Sequence, residues 1–236
     1  MTALAGEAAQ VLGVTITPEQ EALFDVYARE LAAWNAHTNL TAIIDPEGVR
    51  VRHFLDSLTV ARTISPRPGL RLIDVGAGAG FPGLPLKILY PQIELTLLEA
   101  TGKKVAFLRH VVERLGLAAQ CVNARAEEAG QDPTHRAAYD VTVARAVARL
   151  PILLEYLLPL TAVGGRAIAM KGSTAAEESA ASAKALAVLG GRLRGIETFH
   201  LPGVEEPHHL VIVEKIAPTP AIYPRRPGLP TQKPLL

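Results

Sequence analysis

Cysteine is all but missing from this 236-residue chain, in which Cys121 stands alone. A lone thiol has no internal partner, so a disulfide-stapled scaffold and a multi-cysteine metal site are both excluded, and Cys121 reads as a small buried hydrophobe. Long apolar runs are missing too. No stretch reaches the ~18 apolar residues of a membrane span, and residues 1–6 carry neither the basic region nor the apolar core of a signal peptide. A soluble, cytoplasmic protein is expected. Charge excess of either sign is the third absence: 24 Lys+Arg oppose 23 Asp+Glu, a net charge of +1. Any nucleic-acid binding must therefore use a local basic patch, because the chain as a whole has no cationic footprint. Most of the cations are arginine, whose planar fork grips phosphates and stacks on bases. No internal repeat or low-complexity tract is visible.

What is present is 49% hydrophobic against 20% charged residues, enough to bury a core in one or two domains. Thr17-Pro18-Glu19-Gln20 offers an N-cap hydroxyl, a proline at the first helical position and a Gln at N3. Leu23, Tyr27, Leu31 and Trp34 then recur at helical spacing, predicting an amphipathic helix to about Trp34. Asp45-Pro46-Glu47 starts a second helix and residues 50–62 form another, so residues 1–65 read as a helical extension. From Leu70 short apolar runs alternate with helical segments. Strands are expected over 70–75, 94–98, 120–123, 140–144, 166–170, 196–201 and 209–214, and helices over 84–89, 103–115, 151–160 and 174–189. The regular alternation implies right-handed crossovers and a mainly parallel, doubly wound sheet spanning residues 66–216. The last two strands have no helix between them and should close as an antiparallel hairpin. Residues 217–236 hold six prolines and read as an extended tail packed on the surface.

The segment 72–83, Leu-Ile-Asp-Val-Gly-Ala-Gly-Ala-Gly-Phe-Pro-Gly, places an apolar strand, a glycine-rich turn and a helix start in order. Ligands of open α/β sheets bind beyond the carboxyl ends of the strands, and glycines there let a ligand approach the backbone. Gly78, Gly80 and Gly83 satisfy G-x-G-x-x-G, which raises a nicotinamide-dinucleotide reading. Asp74 disfavours it, since a carboxylate ahead of the loop repels a pyrophosphate and attracts the ammonium and sulfonium of S-adenosylmethionine. Glu99, at the end of the second strand, can accept both ribose hydroxyls of an adenosine. Phe81 borders this pocket, and Ala126-Glu127 after the third strand can meet the adenine edge. A protein that holds S-adenosylmethionine without catalysis is the reading from another functional class; methyl transfer from labelled cofactor separates it from an enzyme.

Further motifs are Trp34-Asn35-x-x-x-Asn39-Leu40-Thr41, Arg52-His53-Phe54-Leu55-Asp56-Ser57-Leu58, Arg125-Ala126-Glu127-Glu128, Ala144-Arg145-Ala146, Met170-Lys171-Gly172 and Tyr223-Pro224-Arg225-Arg226-Pro227-Gly228. With the loop 76–83, they make the chain resemble the bacterial family RsmG, formerly called glucose-inhibited division protein B, which methylates guanine N7 in 16S ribosomal RNA. The similarity runs from about Trp34 to Leu235. The resemblance implies a class I S-adenosylmethionine-dependent methyltransferase fold, Rossmann-like, with a seven-stranded mainly parallel sheet, an antiparallel terminal hairpin and an amino-terminal helical extension. It implies cofactor contacts at Gly76, Phe81, Glu99, Ala100, Thr101, Ala126, Glu127 and Arg145, to which the loop reading adds Asp74 and Gly78. Arg145 would lie beside cofactor and target base and orient one of them; the plainer reading is an ion pair with Asp140 or Glu127. The expected partner is 16S ribosomal RNA or the small subunit, with no membrane, no metal and a monomer favoured. Lys103, Lys104, Arg109, Arg125, Arg149, Lys171, Arg225 and Arg226 would together line a basic RNA-binding rim around the strand ends. One departure stands out: Pro207-His208-His209 replaces the arginine that the family tends to carry before the last strand, which puts one phosphate contact in doubt. Adjacent residues of a strand point to opposite faces, so His208 and His209 cannot readily share a metal.

Overall fold

The computed structural model describes residues 2–236. Helix α1 (Thr2–Leu12) precedes α2 (Pro18–Thr38), which begins with the expected capping box: the Thr17 hydroxyl accepts from the Gln20 amide, and the Gln20 side chain accepts from the Thr17 amide. Gln20 also donates to the carbonyls of Ile88 and Leu89. The helix runs on past Trp34 and stops at Asn39, whose φ of 50° is left-handed. A continuous helical run follows: α3 (Pro46–Gly48), a π-helical segment (Val49–Leu55), α4 (Asp56–Leu58) and a 3-10 turn (Thr59–Arg62).

The α/β part comprises β1 (Arg71–Val75), α5 (Gly83–Leu89), β2 (Glu94–Glu99), α6 (Gly102–Arg114), β3 (Ala119–Asn123), α7 (Ala126–Ala129), β4 (Tyr139–Arg145), α8 (Leu150–Leu157) and β5 (Thr161–Lys171), then α9 (Ala175–Ala180), α10 (Ala183–Leu189), β6 (Gly191–Phe199), β7 (His208–Lys215) and α11 (Leu229–Gln232). The strands order as β3-β2-β1-β4-β5-β7-β6. Neighbours from β3 to β5 pair in parallel, and β7 lies antiparallel between β5 and β6. The expected hairpin is therefore present, with its second strand inserted against the parallel sheet. The chain reverses direction across the sheet between β1 and β4, and that switch point is where open α/β sheets bind ligands.

Alternation along each strand divides the core. Leu72, Leu97, Val143, Ile168 and Leu210 face one cluster, while Ile73, Leu98, Ala144, Ala169 and Val211 face the other. The first cluster takes in Leu4, Phe24, Tyr27, Phe54 and Leu58, so the amino-terminal helices share their apolar packing with this face of the sheet. The helix expected over 174–189 is broken into α9 and α10, where Ser179 and Ser182 bond back to the carbonyls four residues earlier. The tail does more than extend: Pro224, Pro230 and Leu235 are buried and α11 forms within it.

Candidate functional site

β1 ends in Asp74, and the chain turns through the glycine loop into α5. Asp74 is fully buried, its Oδ2 accepting from the Gly83 amide at 2.8 Å while Oδ1 has no hydrogen-bond partner among the described residues. Burial raises this carboxyl to about 7, against the opposing effects of the Gly83 bond and the Arg145 charge. The sequence argument has this carboxylate facing a cationic ligand; in the fold its observed partner is the Gly83 amide, which pins the end of the loop. A side chain at Gly83 would bring Cβ to 2.9 Å from Asp74 Oδ2. Gly76, at φ +71°, is held by Val147, whose methyl would lie 2.7 Å from an added Cβ. The loop amides are largely spent internally: Gly76 and Ala77 on the Leu98 carbonyl, Gly78 on Glu99, Gly80 and Phe81 on the Ala77 carbonyl. Such a loop offers few free N–H groups to a pyrophosphate, which weakens the dinucleotide reading further.

Glu99 closes β2. Its Oε2 accepts from Gly78 at 3.0 Å and its Oε1 from Thr101 at 2.8 Å, leaving lone pairs on both oxygens. It lines a cleft of about 560 Å³ together with Gly76, Ala100, Ala126, Glu127, Tyr156 and Thr231, and with three cations, Lys104, Arg125 and Arg149. Volume and mixed lining suit a nucleoside-sized ligand.

A second cleft of about 570 Å³ opens beyond β4 and β5, sharing only Ala146 with the first. Its organising group is Arg145, which forms an ion pair with Asp56 at 3.0 Å, donates to the Arg52 carbonyl at 2.9 Å and reaches His53 Nδ1 at 3.2 Å. Asp56 also meets His208 Nδ1 at 2.6 Å, and that bond raises the His208 pKa. His53 stacks on Phe81 with ring centroids 4.6 Å apart, and its Nε2 meets Thr41 Oγ1 at 2.8 Å. Burial first, then the Arg145 charge, lowers His53 to about 4, so it is neutral at physiological pH. Thr41 is fixed in turn by Asn35, whose side chain accepts from the amides of Leu40 and Thr41 and donates to the Thr41 carbonyl.

A model of the family described as "GidB: rRNA small subunit methyltransferase G" matches residues 20–210. The chain belongs to this family. It is 50% identical over 225 residues to the "Ribosomal RNA small subunit methyltransferase G" of Roseiflexus castenholzii, covering 95% of each chain. Likewise it is 46% identical over 230 residues to that of Acetivibrio thermocellus, covering 97% of this chain and 94% of the relative. Among solved structures, a SAM dependent methyltransferase from Aquifex aeolicus aligns with a TM-score of 0.54 at 16% identity, over 72% of this chain and 93% of its own. Geranyl diphosphate methyltransferase in complex with SAM aligns with 0.53 at 10%, over 69% and 85%. These likenesses establish the class I methyltransferase fold.

Membership gives the two clefts a context. The first gathers Gly76, Glu99, Ala100, Ala126 and Glu127 from the expected set; Thr101 and Gly78 bind Glu99, and Phe81 lies beneath Arg145, 4.9 Å from its guanidinium carbon. Arg145 pairs with Asp56, whereas Asp140 binds Arg67 and Glu127 meets Arg125. The expected rim is only partly assembled. Lys104, Arg125 and Arg149 line the first cleft, and Lys103, Arg109 and Arg226 are exposed with no ion pair among the described residues. Lys171 is committed to Glu178 at 2.8 Å, and Arg225 to the buried Glu155. His208 occupies a defined place against Asp56, and the described residues bring together no group of three or more His, Cys, Asp or Glu placed to hold a metal ion. No helix among them is long and apolar enough to cross a membrane. Cys121 is half-buried, with its thiol raised by burial. The sequence assigned no role in the site to Tyr156 or Thr231. Asp56 and His53 were visible within a motif, but no local signal tied them to Arg145.

Proposed function

We propose that this chain transfers a methyl group from S-adenosylmethionine to N7 of a guanine in 16S ribosomal RNA, with N7 as the direct nucleophile and no side chain acting as general base. The first cleft would hold the cofactor, with Glu99 on the ribose hydroxyls and Ala126 and Glu127 toward the adenine. When bound, the cofactor supplies an electrophilic methyl group on a sulfonium. The second cleft would take the base.

The observation that carries the mechanism is the engagement of the second cleft's acid–base groups. Asp56 is taken by Arg145 and His208, and Glu178 by Lys171, Thr174 and the Leu150 amide. His53 is neutral, with Nε2 on Thr41 and Nδ1 facing the Arg145 guanidinium. An exocyclic amine or a hydroxyl must lose a proton during methylation, whereas guanine N7 has a lone pair and none to lose. Asp56 partly neutralises Arg145, which lets an arginine stand near a base that gains positive charge. Arg145 then acts by orientation, its guanidinium being fixed by Asp56, the Arg52 carbonyl and His53. Removing the target base from its stack is the usual requirement for chemistry on a base.

The test is methylation of 16S ribosomal RNA and of small subunits with labelled cofactor, followed by mapping of the methylated atom. The methyl is expected on guanine N7, and single-turnover rates at saturating RNA should stay nearly flat from about pH 6 to 9, where a histidine base would titrate, although His208, whose pKa Asp56 raises, lines the same cleft. A limb in that window that disappears in His208→Gln, together with most of the rate, would make a histidine the base and overturn the mechanism. Product at another atom would overturn the specificity, and binding without labelled product would leave only a cofactor- and RNA-binding protein.

A further inference from the structure

The C-terminal tail contributes a wall to the first cleft. Arg136 anchors the tail's start, donating to the carbonyls of Thr219, Pro220 and Tyr223. Two buried carboxylates of the α/β part then receive it. Glu155, fully buried in α8, accepts from the Arg225 amide and guanidinium, and Glu127 accepts from the Gly228 amide at 3.0 Å. From Gly228, α11 carries Thr231 to the cleft, where its Oγ1 lies 3.2 Å from the Tyr156 hydroxyl of α8.

The position of this pair along the cleft follows from the sheet. An acid at the end of β2 takes ribose hydroxyls in sheets of this kind, so the base lies beyond it on the β3 side. Glu99 occupies the first place. Glu127, after β3, marks the second, and it binds the residue three positions before Thr231. Two hydroxyls in contact use one proton between them, leaving one donor and free acceptor lone pairs. That complement suits the edge of adenine, where a ring nitrogen accepts beside an amine that donates. Ala126 and Ile152 add apolar surface for the ring itself.

We propose that Tyr156 and Thr231 form the adenine-recognition end of the cofactor cleft, and that tail docking and cofactor binding are thermodynamically linked. This rests on the placement of the cofactor in the first cleft. Linkage is reciprocal: an ordered tail strengthens binding, and a bound ligand holds the tail in place.

The full chain should be titrated calorimetrically with S-adenosylhomocysteine and with methylthioadenosine, which keeps the nucleoside and lacks the amino-acid end. Tyr156→Phe and Thr231→Val are each expected to weaken both ligands equally, by about three- to tenfold, the range of one lost neutral hydrogen bond. Lys233→Ala, just past α11, should leave both unchanged. Amide exchange across residues 228–232 should slow when S-adenosylhomocysteine is added. Unchanged affinity in both hydroxyl variants, with a loss in Glu99→Ala, would overturn the proposal alone; unchanged affinity in all three would remove the cofactor from this cleft and the proposal with it. A loss confined to S-adenosylhomocysteine would place the pair at the amino-acid end and equally overturn it. Should Thr231→Val disturb the tail's fold, Tyr156→Phe, which keeps the ring, decides.

Discussion

Asp74 shows how one side chain can be legible as present and opaque in role. Its position ahead of a glycine loop could be read directly, but its facing depended on Gly83, nine residues on, whose amide turns the carboxylate into the protein. The consequence is a stability cost with a definite sign. In the unfolded chain the group ionises around 3.8, and in the folded chain at about 7. Between those values the unfolded state releases a proton that the folded state keeps, so the contribution of Asp74 to stability falls as pH rises from about 4 to 7 and is flat beyond, against an opposite slope from His53, whose folded value of about 4 lies below its ordinary 6.5. The span corresponds to a penalty on the order of 4 kcal/mol at neutral pH. Asp74→Asn keeps the bond to Gly83 and removes the charge. In urea unfolding the stability of this variant relative to the parent should rise between pH 4 and 7 and leave it the more stable of the two at pH 8; a difference independent of pH would mean that Asp74 ionises normally in the fold.

At the scale of elements, short-range patterns carried furthest. The capping box at Thr17 and the seven strands follow from periodicity and cap chemistry within a few residues. The end of α2 did not, because Asn35, His37 and Thr38 are polar and interrupt the apolar spacing, whereas residues 35–38 remain helical up to the left-handed Asn39. What holds this end is Asn35, bonding back to Leu40 and Thr41 across five and six residues. Its three bonds to the following turn make Asn35→Ala cost about 2 kcal/mol, at roughly 0.5 to 1.5 kcal/mol per net bond. Loosening the turn also frees Thr41 from its place against His53, and through His53 loosens Arg145. Calorimetric melting should register the lower midpoint. In turnover assays kcat/KM for RNA should fall while cofactor affinity holds, and a parallel loss of cofactor affinity would show that the turn supports the first cleft as well.

For the whole molecule, sequence separation decides what could be foreseen. The network that joins Asp56 to Arg145 and His208 spans 89 and 152 residues, and no local pattern encodes it. The same holds for the tail, where Arg225 and Arg226 are neighbours of identical type and read alike as rim cations. Folding separates them: Arg225 forks onto Glu155 in the interior, and Arg226 stays exposed without an ion pair among the described residues. Their substitutions should therefore fail in different ways. Arg225→Ala strands a buried carboxylate, a loss of about 3 to 5 kcal/mol, and should lower the melting midpoint and undock the tail. Arg226→Glu should melt with the parent. If Arg226 belongs with Lys103 and Lys104 to an RNA-facing surface, its reversal should instead flatten the slope of log affinity against log salt by about one, as one phosphate contact is lost. Lys103→Glu and Lys104→Glu should do the same, with cofactor affinity preserved in the Lys103 and Arg226 variants. A salt slope indifferent to all three reversals would move the RNA to another face of the protein, while a normal melt for Arg225→Ala would show that Glu155 finds water or another partner once the tail is gone.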